Sequence, residues 1–309
     1  MLLLQQMFIL FAIMLVGFVC RKRGIITGEG SRVISSIVVN VANPALILSA
    51  GINKTKTIEG RNLLTAVGLA AFVYILLIIC ALIIPVILRL KRADIGTYQV
   101  MTVFSNIGFM GFPVISAVYG SEALLYASLF LIPYNVLIYT WGITAMVPKN
   151  NNDSGEKGKI ELQKIFNIGV IACLLTIIAY GIKLQVPGPV ESIINYLANL
   201  TAPLSMMVIG AFMTDMKVME LLKDIKLLLF MALKLIIIPI IGVTLIKLWG
   251  IDATLVGVCM IMLATPVGSM TAMLAQEYEG DYELASRGVA LSTVLSVATL
   301  PLVSLILGV

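Results

Sequence analysis

The sequence predicts an all-α, polytopic membrane protein: ten transmembrane helices arranged as two inverted five-helix repeats. Three observations carry that expectation. Hydrophobic residues make up 60% of the 309 and charged residues 12%, about half the charged fraction of an ordinary soluble domain. Apolar runs of roughly 17–25 residues, long enough to span a bilayer, recur along the whole chain. Two of them are interrupted midway by Gly, Pro and small polar residues: Phe104 to Pro113 and Leu263 to Thr271.

The ten runs lie near 3–20, 32–51, 63–88, 96–118, 123–147, 166–184, 191–212, 226–248, 253–276 and 284–308. The first follows Met1-Leu-Leu-Leu-Gln-Gln, which lacks the basic start of a signal peptide, and no small-residue cleavage site follows it. It is expected to be a retained transmembrane helix. Basic residues orient the spans. Of the 21 Lys and Arg, fifteen fall at Arg32 and in the connections after odd-numbered spans, among them Arg21-Lys-Arg23 and Arg89-Leu-Lys-Arg92. Five fall on the opposite side: Lys54, Lys56, Arg61, Lys183 and Lys247. Cytoplasmic loops hold the Lys/Arg excess. A cell (plasma or inner) membrane location is expected, with the odd connections cytoplasmic and both termini outside.

The polar stretch around Asn150 to Gly158 reads as a flexible cytoplasmic linker. It divides the chain into residues 1–148, the linker 149–164 and residues 165–309, each half holding five spans. Five is odd, so the second half inserts upside down relative to the first. Matching segments agree. Asn40 to Pro44 and Asn199 to Pro203 are offset by 159, and Ser105 to Met110 and Thr265 to Met270 by 160. Gly120 and Leu124 match Gly280 and Leu284, again at 160.

Several chemistries are excluded or disfavoured. There is no histidine, so His-ligated metals, Ser-His triads and His proton relays do not apply. Cys20, Cys80, Cys173 and Cys259 are scattered through apolar segments and read as small hydrophobes. Neither a Gly-x-Gly-Asp nor an HExxH motif is present. No cofactor, resident metal, nucleic acid or enzymatic activity is expected. The expected partners are the bilayer and a small organic anion, with a homodimer left open.

A break at membrane depth is tolerated only where it is buried or lines a cavity, and a matched pair of breaks points to a transporter's binding site. In the fourth span, Gly108 and Gly111 remove side chains, and Pro113 removes a donor and clashes with the turn before it. Carbonyls around Asn106 to Gly108 are then freed, and a half-helix is expected to begin near Pro113 with free N–H groups suited to a carboxylate. Asn106 adds a donor and an acceptor. In the ninth span, Thr265 and Pro266 open a second half-helix whose first turn holds Gly268, Ser269 and Thr271. Their hydroxyls either ligate an anion or bond back to their own helix. Asn43 is a further candidate contact. Asn40 and Asn199, each four residues before a Pro, are structural or binding residues. Lys234 is the one full charge well inside a span, either a gate or counter-charge or a side chain snorkelling to the cytoplasmic surface. Asp215, Glu277 and Glu283 are expected at solvated cytoplasmic ends. Trp141 and Trp249 suit an interfacial belt.

The stretch Asn106-Ile-Gly-Phe-Met-Gly-Phe-Pro113, followed by Tyr119-Gly120, resembles the fourth-span signature of the auxin efflux carrier family. That family holds the plant auxin exporters and bacterial permeases of small organic anions. The Pro266 break is similar to that family's ninth-span crossover. The resemblance implies that the broken fourth and ninth helices cross mid-membrane at the substrate site, and that an elevator-like movement carries the substrate. It implies a carboxylate-binding role for Asn106. The chain departs from the plant pattern at Ser105, where those proteins have Pro, and its central loop is far shorter, so a bacterial organic-acid carrier is the nearer comparison. The expectation is a secondary transporter of a small carboxylate. The alternatives are a sodium-coupled symporter of the bile-acid transporter type and a non-transporting membrane sensor.

Overall fold

The computed structural model describes residues 2–52, 60–120, 122–147, 168–214, 224–278 and 280–309; the expected linker 149–164 lies outside them. Within those residues the chain is helical, in twelve runs. They are α1 (Leu2–Lys22), α2 (Gly28–Ser49), α3 (Gly60–Ile87), α4 (Arg92–Val103), α5 (Ile107–Tyr119), α6 (Ala123–Met146), α7 (Ile168–Gly181), α8 (Gly188–Met213), α9 (Ile225–Lys247), α10 (Ala253–Ala264), α11 (Met270–Glu277) and α12 (Tyr282–Leu307). Six of them, α2, α3, α6, α8, α9 and α12, are long and apolar enough to cross a membrane, and α5, α7 and α10 are shorter apolar helices.

Proline explains much of the helix irregularity. A Pro inside a helix has no N–H to donate, and its ring clashes with the carbonyl four residues back. The chain absorbs this by widening one turn to an i→i+5 pattern. Asn43 N–H reaches Val38 O just before Pro44, Phe112 N–H reaches Ile107 O before Pro113, and Ile238 N–H reaches Leu233 O before Pro239. Each wide turn rotates the side chains beside it. The third of these turns carries Lys234.

The helices pack in two groups. In the first, α1 lies along the second half of α8, and α2 packs on α7 and α8. Small residues set that contact: a methyl group added at Gly210 would stand 1.9 Å from the Met14 carbonyl oxygen. The second group holds α3 to α6 and α9 to α12, with α4 against α3 and α12, and α9 against α10. The groups meet through α5, α6 and α12. Large apolar side chains on α3 and α7, including Leu64, Val86 and Ile178, are exposed, as a lipid-facing surface requires.

Candidate substrate site

The two interrupted segments lie side by side. α4 stops at Val103 and Phe104 turns extended, with φ −100° and ψ 95°. α10 stops at Ala264 and Thr265 is extended, with ψ 147°. Ser105 and Val267 then pair in an antiparallel bridge. Asn106 N–H donates to Pro266 O at 2.7 Å and Gly268 N–H donates to Phe104 O at 2.9 Å. Two stretches of unwound backbone therefore satisfy one another where little water is at hand. Gly268 makes the approach geometrically permissible, because a Cβ there would sit 3.0 Å from Ser105 O and 3.2 Å from Phe104 O. Pro266 contributes as an acceptor in a pairing that asks no donor of it.

The helix after the first interruption starts earlier than expected. It begins at Ile107 rather than near Pro113, because Asn106 Oδ1 accepts the Phe109 N–H at 3.2 Å and caps the widened turn Ile107–Gly111. Pro113 falls inside the first regular turn that follows. The carbonyls freed are also shifted, toward Thr102 to Ser105, since Asn106 O accepts from Met110 and Gly111 N–H. Capping uses the acceptor of Asn106. Its Nδ2 donor pair and the Gly108 N–H bond nothing among the described residues. Asn43, on α2, faces the same turn: its Nδ2 would lie 3.1 Å from a Cβ on Gly108, and its Oδ1 is buried without a partner. Gly111 has ordinary clearance to its neighbours, 3.7 Å at the nearest.

The second interruption is finished differently. Thr265 Oγ1 bonds back to Met262 O at 3.2 Å, the fate common to hydroxyls within a membrane helix. Ser269 occupies the N-cap position of α11 without a side-chain cap bond. Thr271 Oγ1 is buried and unpartnered. The Val267 N–H is held by Ser292 Oγ of α12 at 3.0 Å, and that hydroxyl in turn donates to Val289 O. Sequence reasoning missed Ser292. Its only signal was a cluster of hydroxyls in the last span (Ser292, Thr293, Ser296), which also fits ordinary back-bonding.

Lys234 does not snorkel. Its side chain is wholly buried, and its Nζ donates to Thr102 O at 2.9 Å and to Ser105 Oγ at 2.7 Å. The widened turn before Pro239 aims it at the C-terminal end of α4. The Trp141 ring lies 6.2 Å from that of Phe104, a residue of the break, with Tyr134 edge-on to Phe104 at 5.4 Å. Trp249 is exposed and packs on Phe72 at 4.7 Å.

Other candidates lie apart from this junction. Asn40 is exposed and donates to Ser36 O and Ser36 Oγ, one turn back, rather than bonding the carbonyl freed by Pro44. Asn199 is exposed at the end of the first half of α8. Asp215 lies outside the described residues, Glu277 ends α11, and Glu283 is exposed near Arg287. The four cysteines are free, Cys173 and Cys259 buried.

Apolar helices of membrane-spanning length, with two broken segments joined through their main chains, define a polytopic membrane protein. The chain belongs to the membrane transport protein family, of the auxin efflux carrier type, whose family model matches residues 2–304. It is 23% identical to an uncharacterized transporter of Methanocaldococcus jannaschii, with 95% of each chain covered. It is 25% identical to an uncharacterized transporter of Methanothermobacter thermautotrophicus, covering 96% of this chain and 95% of the other. A protein of Rhizobium meliloti provisionally named a malonate transporter is 23% identical, over 94% of this chain and 91% of its own.

Proposed function

We propose that the chain is a secondary active transporter of a small organic anion, bound where the broken fourth and ninth spans cross. The observation that carries this reading is the set of unused donors at the start of α5: Gly108 N–H and the Nδ2 of Asn106, with Asn43 beside them. N–H groups at a helix start and its dipole favour negative charge. Ser269 and Thr271 line the facing half-helix start. Thr265, Pro266 and Gly268 hold the two breaks together, and Gly111 and Pro113 shape the turn that presents the donors. The name of the Rhizobium relative suggests malonate as the first substrate to try.

The packing supports an elevator-like mechanism. α1, α2, α7 and α8 form one body and the remaining helices another. Asn43 belongs to the first and Asn106 to the second, so the site lies on the boundary across which one group would slide. Counting α4 with α5 and α10 with α11 as single broken spans yields ten, in two inverted sets of five joined by a cytoplasmic linker, with both termini outside a cell membrane.

The test is thermal stability of the purified protein against malonate, other mono- and dicarboxylates and indole acids, since a ligand selective for the folded state raises Tm by mass action. Asn106→Ala and Pro266→Ala should each abolish transport while leaving folded protein in the membrane. Wild-type flux in both variants would remove the assigned site.

A further inference from the structure

We propose that the Lys234 ammonium is a built-in replacement for a coupling cation, so that the wild-type chain moves its anion without sodium and a chain lacking this amine requires an added small cation. The inference rests on the transport reading above and concerns what drives it, not where the anion sits.

The argument starts from α4. The last carbonyls of a helix have no partner within it, and aligned peptide dipoles place partial negative charge there. α4 ends in the interior of the protein, beside the main-chain junction with Val267. In transporters with broken helices, unwound carbonyls and half-helix C-termini are where a sodium ion is coordinated. Here that position holds an amine. Nζ of Lys234 takes one main-chain carbonyl, Thr102 O, and one hydroxyl, Ser105 Oγ, at 2.9 and 2.7 Å. Neutral oxygens of this kind are the donors hard cations select. The amine arrives from a residue 132 positions away, on a helix that packs within the same group as α4.

Two further observations narrow the role. No group of three or more acidic, cysteine or histidine side chains suited to a metal occurs among the described residues. Neither oxygen held by Lys234 belongs to a carboxylate, so no full negative charge offsets the ammonium through its own hydrogen bonds. Ser105 Oγ, the second oxygen it holds, belongs to the residue just before Asn106. When protonated, the amine therefore places a positive charge next to the residue just before Asn106, on the side of the donors assigned to the anion. Because Lys234 and Asn106 lie in one packing group, the charge would travel with the substrate.

The experiment is uptake of radiolabelled malonate into liposomes holding purified protein, with sodium or N-methylglucamine as the only outside cation. Wild-type uptake should agree within twofold between the two. Lys234→Ala should fall at least tenfold in N-methylglucamine and recover severalfold in sodium or in methylammonium, whose head is that of the missing side chain. A merely structural lysine would not give rescue by sodium, which donates no hydrogen bond. Sodium-dependent uptake by the wild type would overturn the proposal, and so would unchanged uptake by Lys234→Ala in N-methylglucamine. Failure of every small cation to restore a folded Lys234→Ala protein would overturn it as well. Thermal stability supplies a readout that needs no substrate: methylammonium should raise Tm of Lys234→Ala but not of the wild type or of Lys234→Met, whose side chain still fills the space of the lysine stem, and equal shifts in all three would refute the site. If no carboxylate binds the wild type while this selective shift persists, the anion reading fails and the cation site stands.

Discussion

The two interruptions share a Gly and a Met at matching positions, Gly108 with Gly268 and Met110 with Met270, but are stabilised by different means. At the first, the helix end is met by a buried lysine amine and the new helix start is capped by an amide side chain. At the second, the helix end is closed by the hydroxyl of Thr265, the bridging amide is held by a hydroxyl from α12, and the new start has no side-chain cap. A lysine amine and an amide side chain serve one side of the bridge, the hydroxyls of Thr265 and Ser292 the other. A binding site needs groups held before the ligand arrives, and the first break has them.

Substituting the residue both halves share should have the largest effect. Gly268→Val would push a branched side chain into Ser105 O and Phe104 O. Overpacking of this kind costs about 1–3 kcal/mol, and separating the bridge orphans buried amides at a further 1–3 kcal/mol or so. A sharply lower Tm together with lost uptake is expected, and a variant with both intact would show the bridge to be dispensable.

Asn106→Asp separates capping from binding. A carboxylate caps a helix as well as an amide does but presents negative charge and no N–H to an anion. The unfolding free energy should hold within about 1 kcal/mol of wild type while malonate uptake disappears. Uptake that survives would mean the amide serves only as a cap. The corresponding change at the second break, Ser269→Ala, should reduce uptake by less.

Ser292→Ala leaves the Val267 N–H without its partner, at roughly 1–3 kcal/mol. Denaturation in detergent should register that loss, with uptake reduced but not abolished. The smallest effect belongs to Asn40→Ala, at an exposed side chain bonded only to Ser36. Such sites usually stay within about 0.5 kcal/mol, and uptake should match wild type. A transport defect there would extend the site well beyond the junction.

Much of this was legible in the residues themselves. Pro266 and Gly268 lie in one interruption and Gly108 and Pro113 in the turns just after the other, and these residue types act on their own turn, so both regions could be read before any packing was known. Membrane residence followed from composition, and the transport family from the Asn106 to Gly120 motif. The start of α5 was misplaced by six residues. Pro113 looks like a boundary by propensity, whereas a side-chain cap at Asn106 and a widened turn carry the helix through it. Trp141 suits the membrane surface by residue type alone, and its neighbour Phe104, with ring centroids 6.2 Å apart, could not be read from the sequence.

The sequence by itself determined which two regions interrupt their helices, because Gly and Pro act through the backbone of their own and neighbouring turns. It also determined that the chain would seek a bilayer, because burial in lipid depends on the apolar content of each run. Only the tertiary structure decided how the failures are repaired. Lys234 and Ser292 lie 129 and 25 residues from the groups they hold, and no local spacing encodes such a pairing. A buried amine reads in sequence as snorkelling, gating or counter-charge. Its meaning comes from Thr102 O and Ser105 Oγ, which the packing of α9 beside α4 places within its reach.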